Sequence, residues 1–338
     1  MQIFESLMHN DEKIIEFVNV QRLNRGYQYH SCSYLHLSMH YWVTTVFNVL
    51  DFADKQIASD TINFLRQCKN DDGGYGSAKG YPSTVFNTML ACQVATMLDQ
   101  DFYDERTIDY VLSCCRNGIF YAEKCTDGFI EEDNRFVCAA LISLTLLDVC
   151  RRKNIGVFNK CSGLVTKYDM SEDFFKLLER KGFEKDKTIL YLLKCYNMDG
   201  GFGCIPGAES HCGQIYACLV SLKLLNALHR VDKVQITFFL INRQEASGGL
   251  NGRPYKKEDV CYSFWTLCSL DILNGTKYID CDKLREYIHN CWSDDGGYAD
   301  RPGNVSDCFH TMYALLGLRI LDGDQLCKSV LHLGMYVR

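Results

Sequence analysis

One short motif recurs along the chain, and its spacing limits what the chain can fold into. Asp72-Gly73-Gly74-Tyr75, Asp199-Gly200-Gly201-Phe202, Ser247-Gly248-Gly249-Leu250 and Asp295-Gly296-Gly297-Tyr298 each stand between two helical patterns, the last three about 48 residues apart. A fixed period of that size is the mark of a repeat architecture, in which each unit buries its apolar face against its neighbours. Asp127-Gly128-Phe129 reads as a worn copy. Before the marks run amphipathic segments such as Thr61–Cys68, Ile108–Cys115, Lys187–Cys195 and Lys283–Cys291, with apolar residues at three- and four-residue spacing. After them come segments apolar on most sides: Val85–Leu98, Phe136–Leu147, Gln214–Leu225, Val260–Leu273 and Phe309–Leu321. Half-exposed helices alternating with buried ones, joined by glycine turns, predict paired concentric helices. With about six copies the array closes into an all-α, α/α toroid (an α6–α6 barrel) spanning residues 1–338 as one domain. The four prolines, Pro82, Pro206, Pro254 and Pro302, all fall in the connections and break no helix. Arg151–Glu184 is out of step with the period and reads as an insertion, with a short helix near Asp173–Arg180.

Composition narrows the function classes. A formal charge of -6 disfavours a general nucleic-acid binder. The longest uncharged apolar stretch, Phe136–Leu147, falls well short of the roughly 20 residues of a transmembrane helix. Met1–Val20 carries Glu5, Asp11, Glu12 and Lys13 among its apolar residues and lacks a signal-peptide pattern, so a cytoplasmic location is expected. Nineteen cysteines then indicate a reducing compartment rather than a disulfide framework. Cys92, Cys138, Cys218 and Cys268 sit where small apolar residues pack.

In a toroid the connections that follow the outer helices lie at one end, so the residues opening the inner helices converge there: His211, Arg253, Lys256, Lys257, Asp259, Cys261, Tyr262, Asp307 and His310. Asp259, Cys261 and His310 form the mixed ligand set of a zinc site that keeps one position open. Positions i and i+2 do not share a helix face, so Asp259 would precede the helix as a cap, with Cys261 in its first turn and His310 arriving from the next repeat. The same residues also fit a capping aspartate, a packed thiol and a hydrogen-bonded core histidine. His211, Arg253, Lys256 and Tyr262 suit a diphosphate, although Lys256 and Lys257 equally fit a solvated pair. Tyr41, Trp42, Tyr216, Trp265, Phe309 and Tyr313 line an apolar funnel or fill a core.

The run Gly249-Leu250-Asn251-Gly252-Arg253-Pro254-Tyr255-Lys256-Lys257-Glu258-Asp259-Val260-Cys261-Tyr262 resembles the signature of protein prenyltransferase β subunits. So do Asp300-Arg301-Pro302-Gly303 and Asp307-Cys308-Phe309-His310-Thr311. Pro206–Tyr216 and the Leu250–Pro254 wording are most similar to the type II, Rab-class geranylgeranyltransferases. The likeness covers about nine-tenths of the chain. It implies that Asp259, Cys261 and His310 hold one Zn2+, and that His211, Arg253, Lys256 and Tyr262 contact the diphosphate of geranylgeranyl diphosphate. It further implies that Tyr34–Trp42 is the first inner helix, with Ser38 small enough to leave depth for a 20-carbon chain and Tyr41, Trp42, Trp265 and Phe309 in the lipid funnel. Two anionic ligands and a neutral imidazole would leave the zinc formally neutral and open to a substrate thiolate. Family enzymes take a further lysine from an α subunit, which implies a heterodimer, and the type II class receives its Rab GTPase from a Rab escort protein. The alternatives are a type I geranylgeranyltransferase β subunit, a terpene-cyclase or polysaccharide-cleaving toroid, and a non-catalytic scaffold. Cys308 departs from the proline usual before the Phe309-His310 pair.

Overall fold

The structure is a computed structural model that describes residues 2–125, 131–154, 168–323 and 328–337. In chain order the helices are α1 (Gln2–Leu23), α2 (Tyr27–Ser31), α3 (His36–Val49), α4 (Lys55–Cys68), α5 (Val85–Met97), α6 (Glu105–Ser113), α7 (Asn134–Asn154) and α8 (Glu172–Arg180). They continue with α9 (Lys185–Lys194), α10 (Cys212–Leu224), α11 (Lys233–Ile241), α12 (Tyr262–Ile272), α13 (Cys281–Asn290), α14 (Cys308–Leu321) and α15 (Lys328–Leu331). The buried helices pack side by side in the order α3, α5, α7, α10, α12, α14, and α14 returns to α3, so the inner ring is closed. The more exposed α4, α6, α9, α11 and α13 stand outside it, as the alternating pattern predicts.

The glycine pairs explain the closure. Gly73, Gly200, Gly248 and Gly296 all hold φ between 88° and 96°, a region that L-residues avoid. A Cβ on Gly73 would lie 2.4 Å from Arg106 O, on Gly200 2.5 Å from Gln235 O, and on Gly248 2.4 Å from Lys283 O, each on the next outer helix. Gly296 meets Lys13 O at 2.4 Å in the same way. The last repeat therefore docks on α1, which completes the outer layer. Within a repeat, the aspartate ahead of the pair braces the turn: Asp72, Asp199 and Asp295 accept from Ser83, Ser210 and Ser306 Oγ at 2.6–2.7 Å. In the Ser247 copy the roles swap, and Ser247 Oγ donates to Glu258 at 3.0 Å.

Three predicted details change. The outer helix read as Ile108–Cys115 ends at Ser113; Cys115–Arg116 and Ile119–Phe120 pair as a two-residue antiparallel hairpin across Asn117-Gly118, both at positive φ. Asn-Gly is the preferred pair for such a turn and overrides the helical period. The inner helix read as Phe136–Leu147 runs to Asn154, with the buried Asp148 paired to Arg151 at 2.8 Å and Arg152 at 3.2 Å in its last turns. The insertion carries its expected short helix, now Glu172–Arg180, with Ser171 as its cap. Residues 155–167 of that insertion and the worn Asp127-Gly128-Phe129 copy lie outside the described residues.

Cys92, Cys138, Cys218 and Cys268 are at most 5% exposed, among core side chains as expected. Burial pushes the Cys92 and Cys138 thiols up to about 12, which keeps them neutral. The described cysteines are free thiols. No described helix is long and apolar enough to cross a membrane.

Candidate active site

The site stands at the N-terminal end of α12, with α10 on one side and α14 on the other. Asp259 precedes α12 and accepts the Cys261 N–H at 2.8 Å, which turns the chain into the helix. The helix proper begins at Tyr262, so Cys261 occupies its cap position rather than its first turn. His310 lies in the first turn of α14, on the neighbouring repeat. One ligand atom each from Asp259, Cys261 and His310 lie within 4.8 Å of one another. His310 Nε2 is 3.5 Å from Asp259 Oδ1. The arrangement expected from the sequence is therefore present as a cluster.

The electrostatics of this trio favour a cation. Cys261 is 4% exposed, and burial followed by the Asp259 charge pushes its thiol well above the ordinary value. Burial and the neighbouring carboxylate disfavour the Cys261 thiolate, and a divalent ion among these groups would reverse that and bind the cysteine as thiolate. The residues present fit zinc in donor type and number. The His310 ring is set by a residue that the sequence reading named without a role. Asp307 Oδ1 accepts the His310 N–H at 2.8 Å, and Oδ2 lies 2.6 Å from Nδ1. Burial works against the His310 imidazolium, but the Asp307 hydrogen bond and charge prevail and raise its pKa.

Beside the trio is a pocket of about 400 Å³ lined by His211, Gly252, Arg253, Lys256, Lys257, Asp259, Tyr262 and Arg301. It gathers all of the residues expected to contact a diphosphate and shares Asp259 with the metal-type cluster. Lys257 and Arg301 are additions. Arg301 was legible only as part of a motif, and it comes from the connection before α14, paired with Asp300 at 2.7 Å. Arg253 is paired with Glu209 from the preceding repeat. His211 caps α10: its Nδ1 accepts from Gly213 N at 3.1 Å, so in the neutral ring Nε2 carries the proton and faces Tyr262 OH at 3.1 Å. Burial, then Arg253 and Arg135, lower the His211 pKa and keep it in that neutral form. The Tyr262 hydroxyl, accepting from His211, has its own proton available for a ligand. Burial, then Cys261 and Asp259, raise the Tyr262 pKa and hold the phenol protonated.

From this mouth an aromatic cluster leads inward. Trp265 meets Tyr262 at 5.7 Å between ring centroids, Phe309 at 6.2 Å and Tyr313 at 5.0 Å, and Trp42 meets Phe309 at 5.7 Å across the α14–α3 seam. Trp42, Trp265 and Phe309 are partly exposed, whereas Ser38 and Tyr41 on α3 are 7% and 5% exposed. Tyr41 donates its hydroxyl to Gly334 O, a tie that the sequence reading did not anticipate.

Comparison with known proteins bears on what this site does. The family profile described as "Prenyltransferase alpha-alpha toroid domain" matches residues 10–333. The geranylgeranyl transferase type-2 subunit beta of Candida albicans is 30% identical over 279 residues, covering 77% of this chain and 72% of that protein. The Saccharomyces cerevisiae subunit of the same description is 31% identical over 263 residues, covering 75% and 71%. Among solved structures, the Candida albicans protein geranylgeranyltransferase-I complexed with GGPP superimposes with a TM-score of 0.74 at 20% identity, over 94% of this chain and 92% of that one.

Proposed function

The chain belongs to the prenyltransferase α/α-toroid family, among the protein prenyltransferase β subunits, and on that premise we propose that it is the catalytic β subunit of a type II geranylgeranyltransferase. In this reading the whole chain acts as one toroid domain, joined to an α subunit, and moves a geranylgeranyl group from its diphosphate to C-terminal cysteines of a Rab GTPase presented by an escort protein. The observation that carries it is the shared wall: Asp259 belongs both to the cluster suited to a thiolate and to the basic pocket suited to a diphosphate. The two reactants of thioether formation would thus meet side by side, which is the main requirement of a bimolecular reaction.

Asp259, Cys261 and His310 would hold zinc, which supplies the Lewis acid that keeps a substrate cysteine deprotonated at neutral pH. Transfer replaces the C1–O bond of the prenyl diphosphate by a C1–S bond, and negative charge moves onto the departing diphosphate. Arg253 and Lys256 neutralise that charge, Tyr262 donates a hydrogen bond to it, and His211 holds the Tyr262 hydroxyl in position. Lys257 and Arg301 add to the positive rim. Ser38, Tyr41, Trp42, Trp265 and Phe309 would accommodate the prenyl chain and exclude water.

Co-expression with an α subunit, followed by transfer of labelled geranylgeranyl or farnesyl diphosphate to a Rab–escort complex and to a short C-terminal cysteine peptide, tests the reading. Geranylgeranyl transfer to the Rab–escort complex is expected. Efficient modification of the peptide alone would replace it with a type I activity.

A further inference from the structure

One outer helix differs from the others in what it shows to solvent. The exposed residues of α4, α6 and α13 are all polar or charged. α11 reads Lys-Val-Gln-Ile-Thr-Phe-Phe-Leu-Ile and carries no charge after Lys233. Ile236, Phe239 and Leu240 are buried against the ring, as an outer helix requires. Val234 and Phe238, one turn apart on the other side, are 80% and 64% exposed. A helix that is apolar all round belongs where both of its sides are covered, and here one side is bare.

The bare face extends onto its neighbours. Met198, in the turn after α9, is 97% exposed, and its carbonyl accepts from Gln235 Nε2 on α11 at 2.6 Å. Leu190, 49% exposed, is the apolar residue that α9 itself presents. On the other flank the α12–α13 connection abuts α11: a Cβ on Gly275 would lie 2.9 Å from Thr237 Cγ2, and Tyr278, three residues on, is 60% exposed. Together the five side chains expose on the order of 600 Å², most of the roughly 800 Å² that each partner contributes to a stable complex. The position of the face is as telling as its size. α11 packs on α12, which opens at the Asp259–Cys261 corner, and Arg243 O just past its end accepts from Asn251 N at 2.9 Å, next to the loop that bears Arg253 and Lys256. α1 also exposes Val20 and Leu23, but it packs on α3, on which no lining residue of the basic pocket lies.

We propose that the α11 face, centred on Phe238 and extended by Val234 and Met198, is a seat of the α subunit, which covers it with an apolar, uncharged surface. The proposal rests on the reading of the chain as the β subunit of a two-subunit enzyme, in keeping with relatives that are themselves named as β subunits. It sets the partner directly behind the wall that carries Arg253, Lys256 and Asp259.

A dilution series of the full-length chain co-expressed with its α subunit, followed by sedimentation velocity, tests this. Phe238→Glu sets a charge in the middle of the face and is expected to weaken the complex about tenfold or more, whereas Phe238→Leu keeps the face apolar and should weaken it about threefold or less. Residue 238 is exposed in the isolated chain, so the urea midpoint of that chain should not fall in either variant. Equal affinity of Phe238→Glu and wild type overturns the proposal. If Phe238→Glu fails to fold, oxidative footprinting of the wild-type chain takes its place: Met198 oxidation is expected to slow about fivefold or more when the α subunit is bound, and an unchanged rate overturns the proposal. So does a wild-type chain that self-associates and becomes monomeric in Phe238→Glu while its α-subunit affinity is kept, since a second copy is then the cover. A wild-type chain that forms no complex with the α subunit instead refutes the β-subunit reading itself.

Discussion

Asp307 holds His310 at two points, with one carboxylate oxygen on the backbone N–H at 2.8 Å and the other on Nδ1 at 2.6 Å. The first contact caps α14; the second fixes the ring so that Nε2 faces Asp259. A carboxylate behind a ligating histidine orients it and strengthens it as a donor. Asp307→Asn retains an oxygen for the cap but loses the charge, and is expected to weaken zinc binding about 10- to 100-fold with little change in stability. Asp307→Ala should in addition cost about 1 kcal/mol as the cap is lost. Competition with a chromogenic chelator and urea denaturation separate the two effects. Equal zinc affinity in wild type and Asp307→Asn would remove the orienting role.

Arg253 and Glu209 make an exposed pair at the edge of the pocket, with side chains 38% and 61% exposed. Such pairs add little stability. Here the carboxylate competes with any anion for the guanidinium. Glu209→Gln is expected to tighten prenyl diphosphate binding about threefold, since one opposing charge roughly 7 Å away in water is worth about 0.6 kcal/mol. Arg253→Gln should weaken it about tenfold or more, as a charge-assisted hydrogen bond is lost. Titrating both variants with the same diphosphate gives the sign directly, and weaker binding by Glu209→Gln would contradict the competition.

Ring closure makes its own prediction. Gly296 has φ +96°, and a Cβ there would fall 2.4 Å from Lys13 O, so Gly296→Ala must move α1 as well as strain the backbone. A loss of about 3 kcal/mol or more is expected. Gly303 has φ +83° but nothing within 4 Å of its Cβ position, and Gly303→Ala should cost only the left-handed penalty of about 1–2 kcal/mol. Equal midpoints for the two variants in urea would mean that the seam between α1 and the last repeat contributes no stability.

These cases also show which parts of the molecule could be read from the chain. The glycine pairs were legible because each repeat needs the same close approach to the next outer helix, and the need recurs at a fixed period. That Gly296 meets Lys13 was not, since the two lie at opposite ends of the chain and share no local pattern. Asn117-Gly118 carried a clear turn signal that the neighbouring helical period obscured. Repeat position was enough to bring Asp259, Cys261 and His310 together, but their residue types fitted a cap, a packed thiol and a core histidine equally well, and the resemblance to a known family supplied the metal reading. Arg253 was named from its residue type, but its pairing with Glu209 and the presence of Arg301 in the pocket were not identifiable, because a charged residue in a loop gives no sign of its partner. The ties from Tyr41, Gln93 and Tyr216 to the backbone of His332, Leu333 and Gly334 were hidden too, because their partners are far apart in the chain and spread over several inner helices.

His40 supplies a pH dependence away from the site. It lies on α3, stacked on Phe64 at 4.2 Å, with Nδ1 3.2 Å from Thr61 Oγ1. Burial, then the positive charges of Arg22 and Arg25, lower its pKa to about 4 from 6.5. The unfolded chain therefore binds a proton between pH 6.5 and 4 that the folded chain does not. Stability from the neutral ring is complete above about 6.5 and is lost as the pH falls toward 4. Near pH 5 the loss amounts to roughly 1–2 kcal/mol. His40→Gln keeps a polar group opposite Thr61 but cannot titrate, so its urea midpoint should fall less than that of wild type between pH 7 and 5. Parallel decreases in the two proteins would assign the acid sensitivity to other groups.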